Sequence, residues 1–297
     1  MSERKAHLDT LAVVSLVVCS VLWGLNQVAA KAVLGEVPPL VQATVRSLGG
    51  VALVLAWARL RGIPLFQRDG TLPGGLLAGA LFAAEFACIF IGLQYTSASR
   101  MVVFIYFAPF IVAAGMPFIA RSERLGWTQT GGLVLAFAGV ASAFAESFTQ
   151  PATGPQQWIG DALGVLAAVL WATTTLSIRA TKLASASAEK TLAYQLGVSG
   201  VLLLIGTLWH GDPWPRSLSL IAAGSLAYQT VIVVFASYLL WFWLVRHYPA
   251  TRLAAFTLLT PVFGLLMGVL LLNEPLTVRL LLALGGVTVG MLLVNRR

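Results

Sequence analysis

Along the chain, long apolar runs alternate with short polar or basic breaks. Ten runs are predicted as membrane spans, at 11–33, 39–58, 73–95, 98–119, 127–145, 159–180, 189–209, 217–239, 250–272 and 277–294. Each is close to the ~20 residues a helix needs to cross a hydrocarbon core about 30 Å thick. The runs are uniformly apolar and do not alternate with period two, which favours helices over barrel strands. Pro38, Pro39, Pro64, Pro151, Pro213 and Pro215 punctuate the breaks. The eighth span has the least definite end, because its apolar run continues to Trp243.

Composition narrows the class. Of 297 residues, 58% are hydrophobic and only 10% charged, against about a quarter charged in soluble domains. A soluble globule, a disordered chain and a nucleic-acid binder are excluded. The net charge of +8 does not restore the last of these, because the charges sit in short clusters between apolar runs. Ten spans leave no room for a second soluble domain. The polar start MSERKAHLDT precedes a run too long for a signal peptide, so it reads as a retained first span. Of the 19 Lys and Arg residues, 14 fall on one side, four on the other, and Arg46 lies within a span. Basic residues mark the cytoplasmic side, so both termini are expected there, with the 146–161 loop outside. Cys19 and Cys88 lie in apolar runs and read as packing residues.

The midpoint loop separates two related halves. VLWGLNQVAAKA at 21–32 matches VLWATTTLSIRA at 169–180, pairing Trp23 with Trp171, Asn26 with Thr174 and Lys31 with Arg179. ASRMVVFIYFAP at 98–109 matches ATRLAAFTLLTP at 250–261, pairing Arg100 with Arg252 and Pro109 with Pro261. Glu123 and Glu274, then Gly139 and Gly290, continue the register. The predicted units are a first five-helix repeat at 1–146, an external linker at 147–158 and a second repeat at 159–297. Five spans is an odd number, so the second copy enters the membrane from the opposite side. The fold class expected is an all-α integral membrane protein of ten transmembrane helices in two inverted five-helix repeats. Such repeats recur in secondary transporters that work by alternating access.

These motifs resemble the EamA-type members of the drug/metabolite transporter superfamily. The marks are Leu22-Trp23-Gly24 in span 1, Arg46 in span 2, Pro109 and Pro261 in spans 4 and 9, and Glu123 and Glu274 before the last span of each half. The sequence departs at Trp171-Ala172, which lacks the glycine of the first copy. The resemblance implies a multi-pass protein of the bacterial inner membrane, with no cofactor, whose partners are the lipid bilayer and a small-molecule substrate. It points most closely to the exporters of aromatic and neutral amino acids. A monomer suffices, since the two repeats complete the symmetry within one chain. Another substrate of the superfamily (a drug cation, nucleoside or sugar), a lipid-carrier flippase and, last, an intramembrane enzyme are the rival readings.

Ionisable groups inside a membrane are functional candidates. Arg46 and Glu85 lie at depths that differ by about 5 Å at 1.5 Å per residue. They pair as a structural bridge, or Glu85 faces a cavity to meet a substrate ammonium or a proton, or it stands as a neutral acid. Trp23, Trp171, Tyr106 and Tyr238 are candidate cavity walls, since aromatic rings bind apolar groups and cations. Tyr238 is the repeat partner of Glu85. Asn26 and Thr174 lie on the faces of the tryptophans. The run Thr173–Thr175 has a plainer reading, hydroxyls bonded back to the helix, and Tyr194 and Gln195 are weaker candidates of the same kind. Pro109 and Pro261 are expected to kink their spans. Glu123 and Glu274 are expected to meet the positive ends of helices. The pairs Gly49-Gly50, Gly131-Gly132 and Gly285-Gly286 allow close helix approach. No Walker A motif, no metal-ligand cluster and no Ser/His/Asp set stands in the sequence, so neither ATP hydrolysis nor another enzymatic activity is expected.

Overall fold

The computed structural model describes residues 5, 7–92, 95–96, 98–143, 145, 154–272 and 278–294. Among these the chain is helical and no strand occurs. In order, the helices are α1 (Thr10–Ala32), α2 (Pro39–Leu60), α3 (Leu72–Gly92), α4 (Ala98–Ile105), α5 (Ala108–Ile119) and α6 (Trp127–Ala143). The second half supplies α7 (Gln157–Ala180), α8 (Ala188–His210), α9 (Leu220–Ala227), a π-helical segment (Tyr228–Ser237) and α10 (Tyr238–His247). It ends with α11 (Ala250–Phe256), α12 (Leu259–Leu272) and α13 (Val278–Val294). Among the described residues, seven stretches are long and apolar enough to cross a membrane: α1, α2, α3, α4 with α5, α7, α8, and the continuous α9–π–α10 rod. The remaining apolar helices are shorter.

Two breaks fall at matching places in the two halves. Pro109 is the second residue of α5 and Pro261 the third of α12. Each lacks an N–H, so the carbonyl four residues earlier loses its helical partner. Tighter i→i−3 bonds carry the chain around the first break, Phe107 N–H to Phe104 O at 3.1 Å. The second uses Thr257 N–H to Ala254 O and Leu258 N–H to Ala255 O, both 3.1 Å. The two prolines therefore open new helices after a break rather than bend continuous ones.

The eighth span differs from its expected 217–239. The helix runs from Leu220 to His247 and ends at Tyr248-Pro249. Its middle is wound as a π-helix with i→i+5 bonding, a form found mostly as single turns at functional sites. The apolar run to Trp243 is thus one rod. Its serines are tied to backbone: Ser237 donates to Val233 O at 2.6 Å and Ser225 to Ala29 O at 2.7 Å.

The main helix contacts cross between the halves. They are α6 on α13, α3 on α7, α2 on α8, α3 on α8, and α1 on α12, with α4 and α5 on α7 and the α9–π–α10 rod on α1 and α2. Exchanging the halves maps this pattern onto itself. The α1–α12 contact becomes α7 on α4–α5, the α3–α7 contact becomes the rod on α1, and the α3–α8 contact becomes the rod on α2.

The α6–α13 seam is closely packed. A Cβ on Gly132 would lie 2.6 Å from the Gly290 carbonyl and 2.6 Å from Leu293 Cβ. Gly131 has nothing within 4 Å of that position. Small residues let membrane helices approach closely, and overpacking costs about 1–3 kcal/mol or more. Gly132→Val should therefore lower the melting temperature in detergent clearly. Gly131→Ala should change stability by no more than the ~0.5 kcal/mol typical of exposed sites.

Candidate functional site

The centre of the bundle is aromatic. Trp23 on α1 donates from Nε1 to Ser237 Oγ at 2.8 Å. Its ring meets Tyr238 edge-on at 6.1 Å and Trp241 at 5.5 Å. Gly24, beside it, lets α1 lie close against α12: a Cβ there would stand 2.7 Å from the backbone nitrogen of Gly264. The second copy carries fully buried Ala172 at this place, so its seam has room for a methyl group. Trp171 meets Tyr106 edge-on at 5.6 Å. Trp171 and Trp241 line one narrow crevice of about 10 Å³, together with Ala108, Pro109, Val112, Thr175, Ala254 and Thr257. The repeat-related tryptophans therefore converge on one space, Trp171 directly and Trp23 through Trp241. The crevice is closed down to the size of about one water, far below the ~300–1,000 Å³ of typical ligand pockets.

Arg46 and Glu85 are both buried, 7% exposed each. They form no ion pair with each other. Arg46 Nη2 instead donates to the Tyr238 hydroxyl at 3.2 Å, and its guanidinium lies over the Phe86 ring at 4.9 Å. Phe82 packs against Phe86 and Tyr238. Glu85 remains within electrostatic reach of Arg46, Tyr106 and Tyr238. Its Oε2 has no hydrogen-bond partner, and the same holds for Asn26 Oδ1. Buried polar atoms are nearly always bonded, so these two oxygens stand out. Gln195 Oε1 is a third. Its neighbour Tyr194 packs on Gly75, about 15 Å along α3 from Glu85 at 1.5 Å per residue. Gln195 therefore lies outside this cluster. Thr174 donates back to Leu170 O at 2.9 Å, as do Thr173 to Val169 and Thr175 to Trp171. The plain reading of that run holds.

A second polar centre gathers at the end of the bundle that carries residues 5–9. Glu123 was expected to serve the helix that follows it. It reaches across the halves instead: Oε2 accepts the Ala250 N–H at 2.6 Å, capping α11, and the carboxylate pairs with Arg179 at the end of α7. Thr251 donates to the Glu123 carbonyl at 3.2 Å, and Arg179 to Val245 O at 3.3 Å. The reason lies in the exchanged packing, which sets α5 beside α11 and α7 rather than leaving Glu123 to α6. Glu274, its repeat mate, lies outside the described residues. At the same end Lys190 donates to Asp69 Oδ2 at 2.7 Å and to Gln67 O at 2.9 Å. At the opposite end Arg100 grips Asp161 through Nη2 at 2.6 Å and Nε at 3.1 Å.

The N-terminal segment docks on the corner between α10 and α11. Lys5 N–H donates to His247 O at 3.0 Å, Tyr248 to Asp9 at 2.9 Å, and Arg252 Nη1 lies 2.7 Å from His7 Nδ1. Asp9 also accepts the Ala12 N–H at 3.0 Å, capping α1. Hydrogen bonds from Lys5 and then from Ala12 hold its carboxyl at about 2, below the ordinary 3.8. A depressed carboxylate contributes stability above its ordinary value that is lost as pH falls through the folded one. The segment should stay docked at neutral pH and loosen between pH 3.8 and about 2. Protection of the Ala12 amide, measured against the intrinsic exchange rate, should fall in that window, and fall at neutral pH in Asp9→Asn.

Sequence reasoning missed Ser237, Trp241 and the Phe82–Phe86 pair. Trp241 had a signal, since it stands three residues from Tyr238 on the same helix face.

An all-helical bundle with exchanged halves around a buried aromatic and polar centre is built as a multi-pass membrane transporter. The profile of the EamA-like transporter family matches residues 10–145 and again 158–296. The chain belongs to that family. It is 30% identical to an uncharacterized transporter, YvbV, of Bacillus subtilis, over 93% of this chain and 89% of that protein. An S-adenosylmethionine/S-adenosylhomocysteine transporter of Chlamydia muridarum is 26% identical over 96% of this chain and 91% of its own length. A probable amino-acid metabolite efflux pump of Escherichia coli is 25% identical over 93% and 90%. A solved crystal structure superposes with a TM-score of 0.81 at 18% identity, covering 94% of this chain and 96% of that one, a likeness of fold alone.

Proposed function

We propose that this protein exports amino acids or similar small amphipathic metabolites across the bacterial inner membrane by alternating access. In this reading α6, α11–α12 and α13 complete ten spans in two inverted repeats, with both termini cytoplasmic. Trp23, Asn26, Glu85, Tyr106, Trp171 and Tyr238 surround the solute. Thr174 shapes α7 rather than binding, and Arg46 holds Tyr238 in place. The breaks before Pro109 and Pro261 are the hinges, and the Glu123–Arg179 pair closes the cytoplasmic end. One observation carries the proposal: a buried carboxylate oxygen without a partner, set among aromatic rings where two exchanged repeats meet. The efflux pump of Escherichia coli supports the amino-acid class. The Chlamydia relative favours a second reading, a sulfonium-bearing amino acid linked to a nucleoside, whose cation and flat base also suit such a centre.

Uptake of labelled amino acids into liposomes containing the purified protein, with and without a pH gradient, tests the class. Saturable uptake supports it, and the response to the gradient separates proton coupling from facilitated diffusion. No uptake of any amino acid by folded, inserted protein, with S-adenosylmethionine transported, replaces the first reading by the second.

A further inference from the structure

We propose that the solute binds in one fixed orientation, its cationic group at Glu85 and its apolar group in the crevice between Trp171 and Trp241. This rests on the transport reading above and names the subsites within it.

The first support is an asymmetry between repeat-related positions. Tyr238, the mate of Glu85, has its hydroxyl engaged by Arg46. Thr174, the mate of Asn26, spends its hydroxyl on Leu170 O. Glu85 Oε2 and Asn26 Oδ1, both in buried side chains, have no partner. The polar half of the centre is thus the first repeat. Its open atoms are acceptors, and they call for a donor from the solute, such as an ammonium group. Arg46, the nearby cation, already faces Tyr238 and Phe86, so a purely anionic solute finds no equivalent partner there.

The second support is the crevice. Both of its threonines turn their hydroxyls away to backbone, Thr175 to Trp171 O at 3.3 Å and Thr257 to Ala254 O at 2.6 Å. The remaining walls are Ala108, Ala254, Val112 and Pro109, closed by two indole rings. Such a lining offers nothing to a polar group, and it takes a compact apolar or flat aromatic one when the two halves part around it. Tyr106 connects the two subsites: it packs on Trp171 and stands within electrostatic reach of Glu85. Ala108 and Ala254, 2% and 6% exposed, set the depth of the crevice and are the residues that determine size preference.

The test is a size series (labelled alanine, leucine and phenylalanine) in liposomes, with phenethylamine and N-acetylphenylalanine as competitors. Changing a pocket by a methylene or so alters discrimination about 10–200-fold. Ala254→Val should cut phenylalanine uptake at least about tenfold while alanine uptake changes little. Trp241→Phe, which widens the crevice, should shift preference the other way and covers the case in which Ala254→Val does not yield monodisperse protein. Phenethylamine should compete and N-acetylphenylalanine should not. Equal losses across the series in well-folded variants, or competition by the N-acetyl compound alone, would overturn the orientation. Should wild-type protein move none of the three amino acids, the amino-acid reading falls separately. Counterflow of labelled phenethylamine and its homologues then decides the subsites: a size profile moved by Ala254→Val upholds them, and an unmoved profile or no counterflow rejects them.

Discussion

Glu85→Gln should cut uptake of amine-bearing solutes about tenfold to a hundredfold or more while leaving the protein at least as heat-stable as the parent. The two halves of that expectation have separate causes. A carboxylate retained for structure has a partner, and removing it strands that partner at a cost of several kcal/mol. Glu85 Oε2 has none, and Arg46 keeps Tyr238 and Phe86 when Glu85 is replaced. Desolvating an unpaired carboxylate is itself unfavourable, so the neutral isostere relieves the fold. Transport responds in the opposite direction. A charge-assisted hydrogen bond contributes about 1.5–3 kcal/mol, and inside a site shielded from water its loss lowers uptake by about tenfold to a hundredfold or more. Uptake kinetics and thermal unfolding in the same detergent preparation check both. A variant that transports normally removes Glu85 from the site. A variant that unfolds earlier makes it a structural residue. If Glu85 also carries the coupling proton, any dependence of uptake on the pH gradient disappears with it.

The sequence was most informative where two copies could be compared. Pro109 and Pro261 share a register, and the chain breaks at both. Trp23 and Trp171 share one; Trp171 lines the crevice, and Trp23 packs on Trp241, which lines it too. Repeat comparison works because a two-fold operation sends equivalent positions to equivalent depths. Depth along a span does not reveal the direction in which a side chain points around the helix axis. That is why Arg46 and Glu85, level within about 5 Å along their helices, looked like a pair, whereas Arg46 turns to Tyr238 on the other half. The π segment was hidden for another reason. Its residues, Tyr228–Ser237, are as apolar as any α-helical stretch, and winding with i→i+5 bonds leaves no compositional mark. Glu123 was read in kind but not in place. A carboxylate before a span suggests a helix terminus, and only the exchanged packing chooses which one.

The same packing makes Glu123→Ala the substitution with the largest expected effect on stability. Its carboxylate, with Arg179, joins the first half to the second, and it caps α11 through Ala250. The side chains of the pair are 5% and 2% exposed, so water does not replace what is lost. Breaking a buried pair from one side costs about 3–5 kcal/mol, because the surviving charge stays buried. Replacing both members by apolar residues of similar volume removes that penalty. Thermal unfolding should therefore place Glu123→Ala well below the parent, with the double variant Glu123→Leu, Arg179→Met recovering most of the difference. Transport separates a latch from a mere brace. If this pair seals the end of the bundle that carries residues 5–9, the double variant, though stable, holds that end closed less tightly. A cysteine at Ala254, in a background lacking Cys19 and Cys88, should then react with an impermeant thiol reagent about tenfold faster from that side, as expected for losing one charge-assisted bond from the closed state. Unchanged labelling in a stable double variant would make the pair a brace between the repeats and move the gate elsewhere.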